Sequence, residues 1–356
     1  MIHRITIISV LGFILYFLIS CKQGLINPYS TSIADTTSNT FTSEVFILGN
    51  YGSWINGVSI INPDDYWVVG QFFKGDTFYN AIHWDGKSHN FKLIPTYLFT
   101  GDSAISELKA MYNFSTDNIW MVAATGSYTK GDGVNWSGRY IDQVRGSIYS
   151  LWGLTPDNLY LVGSNGSITW YNGSTFKLLD LPSNLDLMDI DGNQDLVFTV
   201  GYTDQGESGC YLLKNGNWFV ILQSNSYSGD PVMKDYGRST TVGVQGDTAY
   251  IVCKSGLVKY NLRNGSRNLV PAPDAQMLKQ DYIDIDVVNW NDIILTGYEG
   301  HILHYNGKTW KKIYRSEDDF GSLQILFNSG EYKDNFFLAG GFSFDYEAVI
   351  IRLFRN

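Results

Sequence analysis

The chain has 356 residues, with 25 Lys and Arg against 35 Asp and Glu, a formal net charge of −10. An acidic chain without a Lys/Arg cluster repels phosphate backbones, which excludes nucleic-acid binding as its role. Charged residues at 17% and aromatics at 15% suit a large β core and exclude a disordered chain.

At the start of the chain His3 and Arg4 precede an apolar run from Ile5 to Ile19. The run is short for a membrane span and has the length of a secretory signal core. It ends in Leu18-Ile19-Ser20-Cys21, which resembles the bacterial lipobox. The resemblance implies removal of residues 1–20 and diacylation of the Cys21 sulfur. Lys22 in place of Asp implies sorting to the outer membrane. Two or three acyl chains anchor a protein stably, whereas one binds only marginally. Residues 21–42 are rich in Ser, Thr and Asn and read as a flexible tether with a reach on the order of 25 Å.

Beyond the tether, residues 43–356 repeat a unit of roughly 45 residues, a period typical of propellers. Its clearest copies run from Ile148 to Phe176 and from Ile283 to Trp310. Each unit reads as an apolar strand, an Asp/Asn turn, a second apolar strand, a Gly turn, an alternating strand, then Asn-Gly and an aromatic residue. The end of the second strand falls at Gly70, Ala123, Gly163, Gly201, Cys253, Gly297 and Gly340. The segments before these positions, such as Tyr66-Trp67-Val68-Val69, are apolar on both alternating faces. A strand tolerates that only when both faces are covered. Six residues before each marker stands Asp64, Asp117, Asp157, Asp195, Asp247, Asn291 or Asp334, expected to bond the backbone of a tight turn. Asp85-Gly86, Asn172-Gly173, Asn215-Gly216 and Asn306-Gly307 signal hairpins, each followed by Phe91, Phe176, Trp218 or Trp310.

These features predict an all-β, seven-bladed β-propeller of four-stranded antiparallel blades. The seventh repeat runs out after its third strand, so Glu44 to Leu48 is expected to supply the missing outer strand and remove the exposed edge. The repeat motifs are similar to the degenerate Asp-box repeats of exported bacterial propellers, related to those of sialidases and photosystem II assembly factors. Tyr128 to Trp136 approaches an Asp-box, with Gly131 at the usual Asp position. The resemblance implies the fold.

Most residues that suggest chemistry fall into register with the repeat. His83 and His304 align with Trp170, which argues against a metal site, and His89 and His301 have no nucleophile beside them. Asp189 to Asp195 has a calcium-loop flavour but lacks the Gly and the distal Glu of that loop. Arg139, Arg145, Arg238 and Arg315 and the acidic run Glu317-Asp318-Asp319 lie near blade junctions, and no motif selects among them. A glycosidase needs two carboxylates about 5 to 9 Å apart. Cys210 and Cys253 sit in neighbouring repeats; a disulfide is open, and two buried thiols are expected.

Loops joining the second strand to the third, and one blade to the next, share one rim of a propeller. Here they vary, with long insertions expected at Gln71 to Asn80, Thr125 to Asn135, Tyr202 to Gly209, Gln223 to Thr240 and Gly341 to Tyr346. Variable loops on a rigid scaffold concentrate function. Phe72, Phe73, Tyr79, Tyr128, Tyr202, Tyr236, Phe342 and Phe344 are the candidate contact residues, with Phe78, Tyr227 and Tyr346 beside them. The expectation is a non-enzymatic, monomeric envelope lipoprotein without metal or cofactor that binds a protein or glycan through this rim. The alternatives are a hydrolase with its site in the central funnel and a scaffold subunit of an envelope complex.

Overall fold

Strands that are apolar on both faces need cover on both, and a ring of sheets packed face to face supplies it. The computed structural model describes residues 36–271, 282–321 and 325–356. The signal segment, Cys21 and the tether up to residue 35 lie outside the described residues. Those described form seven four-stranded antiparallel sheets and one two-stranded ribbon. The innermost strands are Trp54–Asn62, Leu108–Ser115, Ile148–Thr155, Asp186–Gly192, Ser239–Gln245, Tyr282–Asn289 and Ile325–Lys333. Each packs beside the next, and the seventh packs beside the first. The chain is a seven-bladed β-propeller closed by its N-terminal strand.

That closing strand is Phe41–Leu48, antiparallel to Ala348–Arg355 with Phe41 opposite Arg355 and Leu48 opposite Ala348. It begins at Phe41 rather than at residue 43. Two arginines fix it. Arg352, 6% exposed, donates to Glu44 Oε2 at 2.9 Å and to the Pro63 carbonyl at 3.0 Å. Its guanidinium lies 5.1 to 5.9 Å from the ring centres of Phe46, Tyr66, Trp84, Phe336 and Phe354. It therefore joins the closing strand and blade 7 to blade 1. On the other side Arg355 binds both carboxylate oxygens of Asp292 in blade 6. Burial works to raise the Asp292 carboxyl, but Arg355 and His304 hold it below the ordinary carboxylate range. His304, fully buried, also meets Asn39 Oδ1 at 2.5 Å, and Thr37 donates to the Asn291 carbonyl at 2.6 Å. Residues just before the closing strand are thus already seated on blade 6.

The turns opposite the variable rim are built alike. Between third and fourth strands, Asp85, Asp132, Asn172, Asn261 and Asn306 each accept two backbone N–H groups, two and three residues on. Asp132 therefore caps the Asp-box-like turn, one position after Gly131. Gly173 follows Asn172 at φ 89°, a conformation that glycine adopts without strain. Between first and second strands the acceptor differs from expectation in two blades. Asn62 and Asn193 accept the N–H of Asp64 and Asp195, so the recurrent Asp is the donor of the backbone bond.

Two of the expected insertions are strands. Asp65–Lys74 and Thr77–Trp84 continue through residues 71–80 as a hairpin, after a bulge between Val69 and Phe72. Ser127–Gly131 and Trp136–Tyr140 are the third and fourth strands of blade 2. Cys210 and Cys253 are free thiols in the apolar seam between blades 4 and 5, and burial pushes both pKa values up, that of Cys253 to about 12.

Removal of residues 43–49 is expected to leave blade 7 without its outer strand and to lower the melting temperature sharply. Arg352→Ala should cost about 3 kcal/mol in urea unfolding, with Arg352→Lys recovering only part, because the planar guanidinium stacks among rings. An unchanged urea midpoint for Arg352→Ala contradicts this account of the seam.

Candidate functional site

An innermost propeller strand is an edge strand, and its outward N–H groups need partners. Here side chains of the neighbouring blade supply several of them. Asp189 takes the N–H of Val242 at 3.0 Å and Asp191 that of Val244 at 2.6 Å. Asp284 takes Gly330 N–H at 2.7 Å, Asp286 takes Tyr332 N–H at 2.6 Å, and Glu331 takes Ile60 N–H at 2.9 Å. Ser329 accepts from Val58 N–H, and Asn56 and Asn328 donate to the carbonyls of Leu108 and Ile55. These seams surround a central cavity of about 670 Å³ lined by all seven innermost strands.

Desolvation in this channel pushes all five carboxyls upward: Asp191 to about 8, Glu331 to about 7, Asp286 to about 6, and Asp189 and Asp284 in the same direction. Among the described residues, Lys109 and Lys333 are the cations on the channel wall. At one mouth Glu107 behaves oppositely. Burial would raise it, but hydrogen bonds from Lys109, Trp54 and Asn56, all at 2.7 Å, hold it below the ordinary range.

The variable-loop face is the second feature. The turn from blade 7 into blade 1 is clipped on both sides. Asn50 N–H donates to the Phe73 carbonyl, Ser53 N–H to the Tyr346 carbonyl, and Gly75 N–H to Asn50 Oδ1. This ridge carries Tyr51, 76% exposed, Phe344, 53%, and Tyr346, 47%. Tyr51 meets Tyr346 edge-on at 5.6 Å, and Phe342 stacks on Tyr346 at 5.9 Å. The connection from blade 1 to blade 2 adds Phe99, 81% exposed, beside the ribbon Thr96–Tyr97 and Ser103–Ala104.

The sequence candidates divide. Phe72 is fully buried in the seam with blade 7, and Tyr128 is buried on a third strand, stacked on Trp120 at 5.0 Å. Both were expected on loops; both belong to extended strands and are core residues, so they do not form a contact surface. Phe73, Tyr79, Tyr202, Tyr236 and Phe342 are half-buried. Phe73 packs edge-on against Phe78, Tyr79 against Phe91, and Tyr202 lies under the Arg238 guanidinium at 4.3 Å. Phe344 is exposed. Tyr51 and Phe99 were missed because both lie between repeats, where no periodic neighbour marks them.

The other sequence features separate in space. His83 stacks on Trp67 and pairs with Asp65, while His89 accepts from or donates to Tyr66 Oη at 2.7 Å, its pKa lowered to about 4 by burial and by Arg352. Arg139 covers Phe176, Arg145 pairs with Asp180, and Arg238 covers Tyr202 and Tyr227, so these three do not converge. Glu317, in the short helix Ser316–Phe320, meets His301 at 3.2 Å, and Asp319 accepts from Tyr314. Among the described residues no three His, Cys, Asp or Glu side chains are placed to hold a metal ion.

No protein-family model matches the chain, and no curated protein matches its sequence. Solved structures do resemble it. YCF48 bound to a D1 peptide aligns at 14% identity over 92% of this chain and 100% of its own, with a TM-score of 0.63. Catalytically inactive virginiamycin B lyase from Staphylococcus aureus with quinupristin aligns at 9% identity over 88% and 99%, TM-score 0.60. The WD40 propeller domain of Doa1 aligns at 12% identity over 88% and 97%, TM-score 0.58. At these identities the likeness is one of fold, which a peptide-bound propeller and a lyase share.

The channel acids set a pH dependence. Glu331 keeps its proton in the folded state up to about 7, whereas the unfolded side chain loses it near 4.5. Its contribution therefore favours folding below the unfolded value and is lost as pH rises through 7. Glu331→Gln keeps an acceptor for Ile60 N–H and is expected to flatten the fall in melting temperature between pH 5 and pH 8. An unaltered slope would count against the assignment.

Proposed function

We propose that the chain is an outer-membrane lipoprotein whose propeller is a non-enzymatic binder of a protein partner, engaged through the variable-loop face. The observation that carries this reading is the ridge of Tyr51, Phe344 and Tyr346, exposed yet held on a backbone clipped between two blades. Exposed aromatic rings on a rigid base suit protein contact, since little conformational freedom is lost on binding. Likeness in fold to a propeller bound to a peptide and to a WD40 domain supports a protein partner. The lipid anchor rests on the lipobox at Cys21 and on a tether that reaches the closing strand at Phe41. The anchor is the expectation that a labelled fatty acid tests.

A second reading has one observation in its favour. Five carboxyls with raised pKa in a central cavity are the setting in which general acids are found. Against it, each accepts a backbone N–H from the next blade, and Asp189, Asp191 and Asp284 use both oxygens in bonds. A carboxylate occupied in this way serves the wall first.

In a pull-down from envelope extract, Tyr51→Ala/Phe344→Ala/Tyr346→Ala should lose the partners that the unaltered chain captures while its melt stays unchanged. Equal capture by the triple variant refutes the ridge as the site. Cys21→Ser should abolish incorporation of labelled palmitate and release the protein from membranes, and continued labelling refutes the anchor.

A further inference from the structure

We propose that a polar pocket on the variable-loop face, at the junction of blades 3 and 4, binds a neutral hexose-type sugar. The pocket encloses about 430 Å³, within the ~300–1,000 Å³ of small-molecule sites. It is formed by the connection from blade 3 to blade 4 (residues 181–185), the second-to-third-strand loop of blade 4 (residues 203–208), and the end of that blade's outer strand (residues 223–225). It is separate from the aromatic ridge, and the inference goes beyond the protein-binding reading.

Its chemistry is what selects the ligand. Most ligand sites are apolar with a few polar groups, and this one is the reverse. Asn184, Gln223 and Asn225 present amides at the mouth, and Glu207 presents a carboxylate; all four are exposed and make no side-chain hydrogen bond within the described residues. Deeper in, the Thr203 hydroxyl is shut away from solvent and has no partner among the described residues, so it lies beyond a ligand's reach as well. The other hydroxyls there are already spent. Tyr211 Oη donates to Ser183 Oγ at 3.0 Å, and Ser183 Oγ accepts from Leu185 N–H at 3.3 Å, which fixes a stiff floor.

An amide offers a donor and an acceptor side by side, and a vicinal diol offers the same pair in return. Three amides and a carboxylate acceptor around one cavity therefore match a ring of hydroxyls. Among the described residues no Lys, Arg or His lines the pocket, so phosphate, sulfate and acidic sugars find no counter-charge there, and Glu207 repels them. The scarcity of apolar lining argues against a lipid chain.

The test uses the full chain and saturation-transfer NMR with the methyl glycosides of glucose, galactose, mannose and N-acetylglucosamine, with sialic acid as the anionic probe. At least one neutral glycoside should bind, with a Kd on the order of 1 mM. Asn184→Ala/Gln223→Ala should weaken it at least about tenfold with an unchanged melt. Tyr51→Ala/Phe344→Ala/Tyr346→Ala should leave it intact, which separates this site from the ridge. The proposal is overturned if no neutral glycoside gives transfer at roughly 50 mM, if binding survives the Asn184/Gln223 pair, or if sialic acid binds as well as the neutral sugars.

Discussion

Everything in this molecule depends on closing the ring. Seven twisted sheets packed face to face satisfy one another except at a single seam, where the chain's two ends must meet. Backbone pairing alone would join Phe41–Leu48 to Ala348–Arg355, but a strand added to a sheet edge can slip in register. Arg352 and Arg355 remove that freedom. Three residues apart at the end of one strand, they face opposite sides of the sheet, and each reaches a different neighbour: Arg352 the rings of blade 1, Arg355 the Asp292 carboxylate of blade 6. A slip of the closing strand by one residue would withdraw Glu44 and Phe46 from Arg352 and Phe41 from Arg355. Leaving a buried charge unpaired costs more than the pair itself contributes, so the arginines act chiefly as register pins.

The same logic governs the centre. The innermost strands have no further strand to pair with, yet they are too crowded for bulk water to serve every N–H. Carboxylates from the neighbouring blade fill this need at the seams 4 to 5, 6 to 7 and 7 to 1. The consequence is an acidic channel that looks like a catalytic centre by charge and pKa but is built as a set of clasps. A raised carboxyl is a sign of desolvation before it is a sign of chemistry. What separates the two is where the oxygens point, and here one oxygen of each carboxyl points at a backbone N–H of the next blade.

How much of this the sequence discloses depends on the range of the interaction. Blade number, the closing strand and the Asn-Gly turns are legible because they repeat or lie close in sequence. Asp189 and Asp191 stand out in the sequence as a possible calcium loop; they lie on the innermost strand of blade 4, and their partners Val242 and Val244 lie in the next blade. No local pattern announces such a pairing. Phe72 and Tyr128 were misplaced for a different reason. Gly70 and Ala123 end the repeat's apolar segment, yet a bulge lets the strand continue past Gly70, and the third strand of blade 2 starts only four residues after Ala123. Tyr51 and Phe99 went unread because residues between repeats have no equivalent to be compared with.

The two faces of the ring then differ for a physical reason. On one, Asp or Asn caps two backbone N–H groups in a turn of nearly fixed length, and the glycine after it often needs a positive φ, so insertion there breaks a built motif. On the other, the connections need only reach from one strand to the next, and length is nearly free because loop closure costs grow slowly. The clipped aromatic ridge and the amide-lined pocket both lie on this second face. Their positions follow from where the scaffold leaves the chain unconstrained, and their chemistries differ, one of rings and one of hydrogen-bonding heads.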